Sequence, residues 1–199
     1  MTTLDLQVSA ATDDAHEADD NTLFNSGAVV VKAESDPSGG SRYNGGARFT
    51  GVTVPNGATI DVAYIAVHAP ATNRDDPNVD IHCEDVDDAD DFGATADVTG
   101  RTRTTNFTTW TATGIGTGEV NSPGIESVVQ EVVNRAGWNG GNDMVVLVDG
   151  RSDSPQDFRM VSYESDTSKA VKLHIEYSTG KTRPVKPITG HVPVHQLQL

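Results

Sequence analysis

The chain has 199 residues, one cysteine, and 14 Lys and Arg against 29 Asp and Glu, a formal charge of −15. That length suits one ordinary domain able to bury its own core, and a single cysteine excludes a disulfide framework, a thiolate zinc site and an iron–sulfur centre. No apolar run nears the roughly 18–20 residues of a membrane helix, and so much carboxylate repels phosphate, so neither membrane nor nucleic acid is an expected partner. The acid is mostly aspartate, 21 Asp to 8 Glu, a coat that keeps a protein soluble in salty water.

In chain order, Leu4, Leu6 and Val8 alternate with Asp5, Gln7 and Ser9, the period-2 signature of a half-buried strand. Residues 13–20 carry five acids and are expected to connect the first two strands as a mobile segment. Further strands are expected at 28–34, 46–52, 59–68, 78–84, 106–112, 143–149, 157–163 and 170–177. Turn chemistry separates them, as in Pro55-Asn-Gly57, Asp76-Pro-Asn78 and Asn139-Gly-Gly141. About nine short strands with frequent turns predict an all-β domain, an antiparallel β-sandwich or jelly roll over residues 1–177. One amphipathic helix is expected at about 123–136: Ile125, Val128, Val129, Val132 and Val133 form a stripe at helical spacing. Ser122 is the expected cap, Pro123 the first helical residue, Gly137 a left-handed stop, and Arg135 complements the dipole. Trp138 is expected to fold back as a plug at the helix end.

Residues 178–199 change character. They hold no acid, three cations (Lys181, Arg183, Lys186) and three prolines, so this segment is +3 and residues 1–177 are −18. Val192, Val194, Leu197 and Leu199 alternate with polar residues at its end. The segment is either a disordered terminus or an extended assembly arm, basic and proline-containing, that adds to a neighbouring sheet edge or lies on an acidic body.

Candidate chemistry is sparse. Residues 75–91 contain nine acids, and Asp85, Asp87, Asp88, Asp90 and Asp91 are a candidate calcium loop, since calcium takes six to eight oxygens. They lack the glycine and glutamate offsets of an EF-hand, so a solvated acidic loop stands as the other reading. On strand 78–84, Asp80, His82 and Glu84 share one face and Val79, Ile81 and Cys83 the other, which places Cys83 inward as an inert thiol. Arg48, opposite Phe49, is expected in a structural salt bridge. Trp110 and Tyr43 are candidate glycan-stacking aromatics, although Trp110 alternates as a core residue would. No serine sits in a nucleophile elbow and no phosphate loop is present, so no enzymatic activity is expected.

The order of several motifs resembles a known group. They are Gly46-Ala-Arg-Phe-Thr-Gly-Val-Thr-Val-Pro-Asn-Gly-Ala-Thr-Ile-Asp-Val-Ala-Tyr-Ile65, Gly100-Arg-Thr-Arg-Thr-Thr105 with Trp110, Asn121-Ser-Pro-Gly-Ile125, the run from Val128 to Asp143, and Leu173-His-Ile-Glu-Tyr177. Together they resemble microbial and phage β-sandwich modules related to the disaggregatase-related repeat, some of them classed as carbohydrate-binding. The resemblance spans roughly residues 4–177. It implies a non-catalytic jelly-roll-like module of the kind found in surface proteins and in tailed-phage genomes, and it supplies no catalytic residues.

The resulting expectation is a non-enzymatic structural protein of a tailed-phage virion, displayed on capsid or tail. Its arm would hold it to other virion proteins or to copies of itself. Residues 1–8 carry no basic-then-apolar leader, which fits synthesis in the host cytoplasm. The alternative is a carbohydrate-binding or adhesion module on an extracellular surface, with glycans as partners and calcium as its candidate cofactor.

Overall fold

The computed structural model describes residues 1–19, 24–25, 30–35, 42–71, 76–93, 98–151 and 156–180. In chain order the strands are β1 (Thr2–Gln7), β2 (Asp14–Ala18), β3 (Phe24–Asn25), β4 (Val30–Ser35), β5 (Tyr43–Phe49), β6 (Thr59–Ala69), β7 (Asn78–Cys83), β8 (Thr108–Thr111) and β9 (Gly118–Asn121). Helix α1 (Glu126–Val133) follows, then β10 (Met144–Gly150), β11 (Gln156–Val161) and β12 (Lys172–Ser178). One sheet runs β1-β12-β6-β9. The other runs β11-β4-β5-β10-β7-β8, with β2 also pairing β5 and β3 pairing β2. All pairs are antiparallel.

Alternation explains how the sheets face each other. Ile65, Val67, Leu173 and Ile175 project from the smaller sheet, and Phe49, Ile81, Met144, Val146 and Phe158 from the larger, into one continuous core. Side chains at successive strand positions point to opposite faces, so one period-2 sequence fills the core and coats the outside. The expected all-β sandwich is therefore the fold. The described residues hold twelve strands where about nine were expected. The additions are the two-residue β3, β9 in a glycine-rich stretch, and β2.

β2 corrects the expectation of a mobile acidic connection. Asp13, Asp14 and Glu17 are buried because each carboxylate has a backbone or arginine donor. Asp13 accepts from Arg48 Nη1 at 2.8 Å, Asp14 from the Tyr163 amide at 2.8 Å, and Glu17 from the Val98 and Thr99 amides, each at 2.8 Å. Hydrogen bonding makes this burial tolerable.

The helix is shorter than its apolar stripe suggests. Before it, the amides of Ser122 and Ile125 donate to the carbonyls of Ile65 and Ala63, so this stretch follows β6 rather than coiling. Ser122 is accordingly no cap: its hydroxyl accepts from the Ile65 amide at 3.1 Å and donates to the Pro123 carbonyl at 2.8 Å. Ile125 takes the capping position without a side-chain bond, and Asn134 ends the helix in the right-handed region. The buried stripe packs α1 against β6 of one sheet and β7 of the other, closing that end of the sandwich. Trp138 is buried beyond the helix and donates Nε1–H to the Val54 carbonyl at 2.9 Å.

A second, smaller core lies on the outer face of the larger sheet. Val145 and Leu147 of β10 and Ala15 of β2 are covered there by Ala89, Phe92 and Val98. Phe92 rests against Gly46 of β5, where a Cβ would stand 2.4 Å from the ring tip. Glycine at 46 is therefore a packing requirement, since an added methyl overpacks this contact. Residues 84–93 are the cover of this core.

One buried group makes the fold pH-dependent. Burial pushes the Asp14 carboxyl up to about 7, with repulsion from Glu164 and Asp13 adding to it against the Tyr163 hydrogen bond. A carboxyl raised in the native state binds its proton more tightly there, so its contribution is full below the ordinary carboxylate range and is lost as pH rises through about 7. Denaturant titrations should show lower stability at about pH 8 than at about pH 5, by up to roughly 3 kcal/mol, with the difference abolished in Asp14→Asn.

Candidate functional site

The acidic loop does not converge on a point. Asp85 and Asp87 both grip Arg135, the latter at 2.7 Å from Nε. Asp88 accepts from the Asp143 amide at 2.8 Å, and Asp91 from the Gly93 amide at 3.1 Å. Asp90 and Asp91 also offer their carbonyls to Arg101, at 3.0 and 2.8 Å. Calcium needs its oxygens turned to one centre, whereas Asp85 and Asp87 turn to Arg135, and Asp88 and Asp91 to two different backbone amides. Among the described residues no group of three or more His, Cys, Asp or Glu is placed to hold a metal. Arg135 thus serves the loop rather than the helix dipole. Gly137 lies against Asp87, where a Cβ would sit 2.0 Å from the carboxylate.

Trp110 is buried, its ring 5.2 Å from Phe158 in an edge-on contact, so it belongs to the core and offers no face to a sugar. Tyr43 is half-buried, its ring 5.8 Å from His16. Cys83 is fully buried, and burial pushes its thiol far above the ordinary range, leaving no nucleophile. Arg48 does form the expected structural bridge, holding Asp13 and Asp143 and donating Nε–H to the Ala89 carbonyl at 2.9 Å. Lys181, Arg183, Lys186, Val192, Val194, Leu197 and Leu199 lie outside the described residues.

The structure instead assembles a polar cleft of about 490 Å³ on the outer face of the larger sheet, beside the small core. Register builds its floor. Asn44 on β5 stands opposite Asp149 on β10, Asp149 opposite Asp80 on β7, and Asp80 opposite Thr109 on β8. Asp80 and Asp149 are like charges in directly opposed positions, an arrangement that destabilises a sheet unless cations intervene. Arg103 supplies one, with Nε and Nη2 on the two Asp149 oxygens at 3.0 and 2.9 Å. Arg151 supplies the other, with Nη1 at 3.0 and 3.2 Å from the Asp80 oxygens. Thr109 donates its hydroxyl to Asp80 at 2.6 Å.

The remaining walls are fixed in the same way. Arg42 and Asn44 share Asp19. Arg101 holds Glu84 at 2.5 Å and lies over the Phe92 ring, 4.3 Å from its centre, joining the cleft to the small core. Arg103 also ties its own loop, donating Nη1–H to the carbonyls of Thr99 and Arg101 at 2.7 and 2.6 Å. His82 on β7 points Nδ1 at the Thr104 carbonyl at 3.1 Å. A carbonyl only accepts, so Nδ1 carries the hydrogen and Nε2 is the acceptor of the neutral ring.

Arginine is the residue that this floor requires, since its rigid fork matches a carboxylate through two bonds. Replacing Arg103 by Met should cost about 2 kcal/mol of stability, because it strands Asp149 beside Asp80 and loosens the 99–103 loop. Adding Asp149→Asn should recover part of that loss in a double-mutant cycle read by urea midpoint. The sequence matches no family model and no curated protein.

Proposed function

We propose that this chain is a non-enzymatic structural module of a tailed-phage particle, displayed on the capsid or tail and held there by its basic C-terminal segment. The observation that carries the reading is the division of charge. The body is −18, while residues 178–199 are +3 and contain no acid. β12 ends where Tyr177 stands opposite Thr2 of β1 and Ser178 opposite Thr59 of β6, and Thr179 and Gly180 beyond it are exposed. A cationic tail on an anionic body is drawn to acidic surfaces such as neighbouring copies or other acidic subunits, and its alternating end suits strand addition.

Two further features support a load-carrying part over a flexible enzyme. The charged side chains of the cleft are committed to ion pairs within the fold, and the sandwich carries a second packed layer over one sheet. The resemblance of the 46–65, 121–125 and 128–143 motifs to phage and surface modules points the same way.

The test uses the full chain carrying Lys181→Glu, Arg183→Glu and Lys186→Glu together. Mass spectrometry of gradient-purified particles should find the parent chain at fixed stoichiometry and the variant depleted at least tenfold, with thermal unfolding unchanged. Absence of the parent chain from particles, or undiminished incorporation of the variant, contradicts the reading.

A further inference from the structure

β1 is the least guarded edge of the sandwich. The sheets end on β1 and β9, and on β11 and β8. An open edge invites another strand, and proteins blunt theirs with shortness, charge, proline or bulges. β8 and β9 have four residues each, and β11 carries the Asp157–Arg159 ion pair. β1 is six residues long and holds no Lys, Pro or bulge. Its one charge, Asp5, accepts from His174 Nδ1 at 2.6 Å.

The ladder fixes which backbone groups of β1 are open. The Val8 amide donates to the Val171 carbonyl at 3.0 Å, so the hydrogen-bonded pairs continue as Leu6–Leu173 and Leu4–Ile175. Thr3, Asp5 and Gln7 therefore turn their amides and carbonyls away from β12, and β1 pairs no other described strand. Thr3 and Asp5 are exposed, while Leu4 and Leu6 pack against the core but are only partly buried. One more strand would satisfy this row and finish covering the two leucines.

We propose that this edge receives residues 195–199 of a second copy of the chain as an added antiparallel strand. The inference rests on the reading of residues 178–199 as an attachment segment, and it names the receiver. Three observations select the occupant. Leu197-Gln-Leu199 has the alternation of Leu4-Asp-Leu6. Antiparallel pairing then sets Leu199 opposite Leu4 and Leu197 opposite Leu6 on the core face, with Gln198 opposite Asp5 outside. Charge is the second: two −18 bodies repel, and Lys181, Arg183 and Lys186 lie in sequence between each body and the strand that crosses to its neighbour. Chain direction is the third. β12 ends beside Thr2, the start of β1, so the chain's own segment would have to travel the length of β1 and turn back before pairing. Pro184 and Pro187 bias themselves and the residues before them towards extended backbone, which favours reaching outward over that reversal.

The test is hydrogen exchange of the full chain, resolved to single amides by mass spectrometry and paired with sedimentation velocity, from about 1 µM to about 200 µM. Chains should self-associate as concentration rises, and the Asp5 and Gln7 amides should slow at least tenfold in the assembled fraction. Leu197→Asp together with Leu199→Asp should keep the chain monomeric and those amides fast, with the unfolding temperature unchanged. Asp5→Pro should stop assembly from the receiving side, since it removes an amide that faces the open edge. A chain monomeric throughout, protection of Asp5 and Gln7 within a monomer, or protection gained at β8 or β11 instead overturns the proposal. Assembly through β1 by a chain absent from particles would contradict only the particle reading. A chain built into particles with Asp5 and Gln7 unprotected would contradict only this one.

Discussion

The structure depends on burying β10 from both sides. Met144, Val146 and Val148 enter the main core, while Val145 and Leu147 face the other way and are sealed beneath Phe92, Ala89 and Val98. A strand of an antiparallel sandwich usually wets one face. Here that face is greasy, so the chain must supply a cover, and the acidic segment from Glu84 to Gly93 is that cover. Gly46 follows from it, being the bare floor on which the Phe92 ring rests.

Covering a sheet with an aspartate-rich loop creates an electrostatic problem, and arginine resolves it. Arg48 reaches from β5 to Asp13 and Asp143 and to the Ala89 carbonyl, Arg135 holds Asp85 and Asp87, and Arg101 lies on Phe92 while gripping Glu84. Each arginine of the described residues is paired with a carboxylate. Many of these pairs are partly shielded, where losing one partner costs more than the intact pair contributes. The cleft sits where the cover stops: its arginines brace the loop edge and also offset the opposed Asp80 and Asp149. One set of staples thus shapes both the rigid body and the polar recess on the outer face of the larger sheet.

The sheets were legible because alternation is a local property. On β7, Val79, Ile81 and Cys83 point inward and Asp80 and His82 outward, as the period-2 pattern predicts. The valine stripe of α1 was equally legible, but its start was not, because Ser122 and Ile125 are taken by β6, about sixty residues away in sequence. β2 was hidden because Asp13, Asp14 and Glu17 look solvated until Arg48 and the amides of Tyr163, Val98 and Thr99 are brought to them. The acidic loop suggested calcium for the same reason: Arg135, the partner of Asp85 and Asp87, is remote in sequence. One available signal is the unbroken apolar run Met144-Val-Val-Leu-Val148, which departs from alternation and marks a strand covered on both faces. The cleft carried no such signal, since it arises from the register of β5, β10, β7 and β8.

The most direct test of this account is native-state hydrogen exchange across residues 84–93. The amides of Glu84, Asp85, Ala89 and Phe92 donate to the carbonyls of Val145, Thr102, Asp143 and Thr12, at 2.9, 2.8, 3.1 and 2.7 Å. A packed cover predicts that these four exchange with protection close to that of β10, opening only with the sheet beneath. Exchange of all four at free-peptide rates, with β10 still protected, would show that the loop is not the lid on which β10 depends.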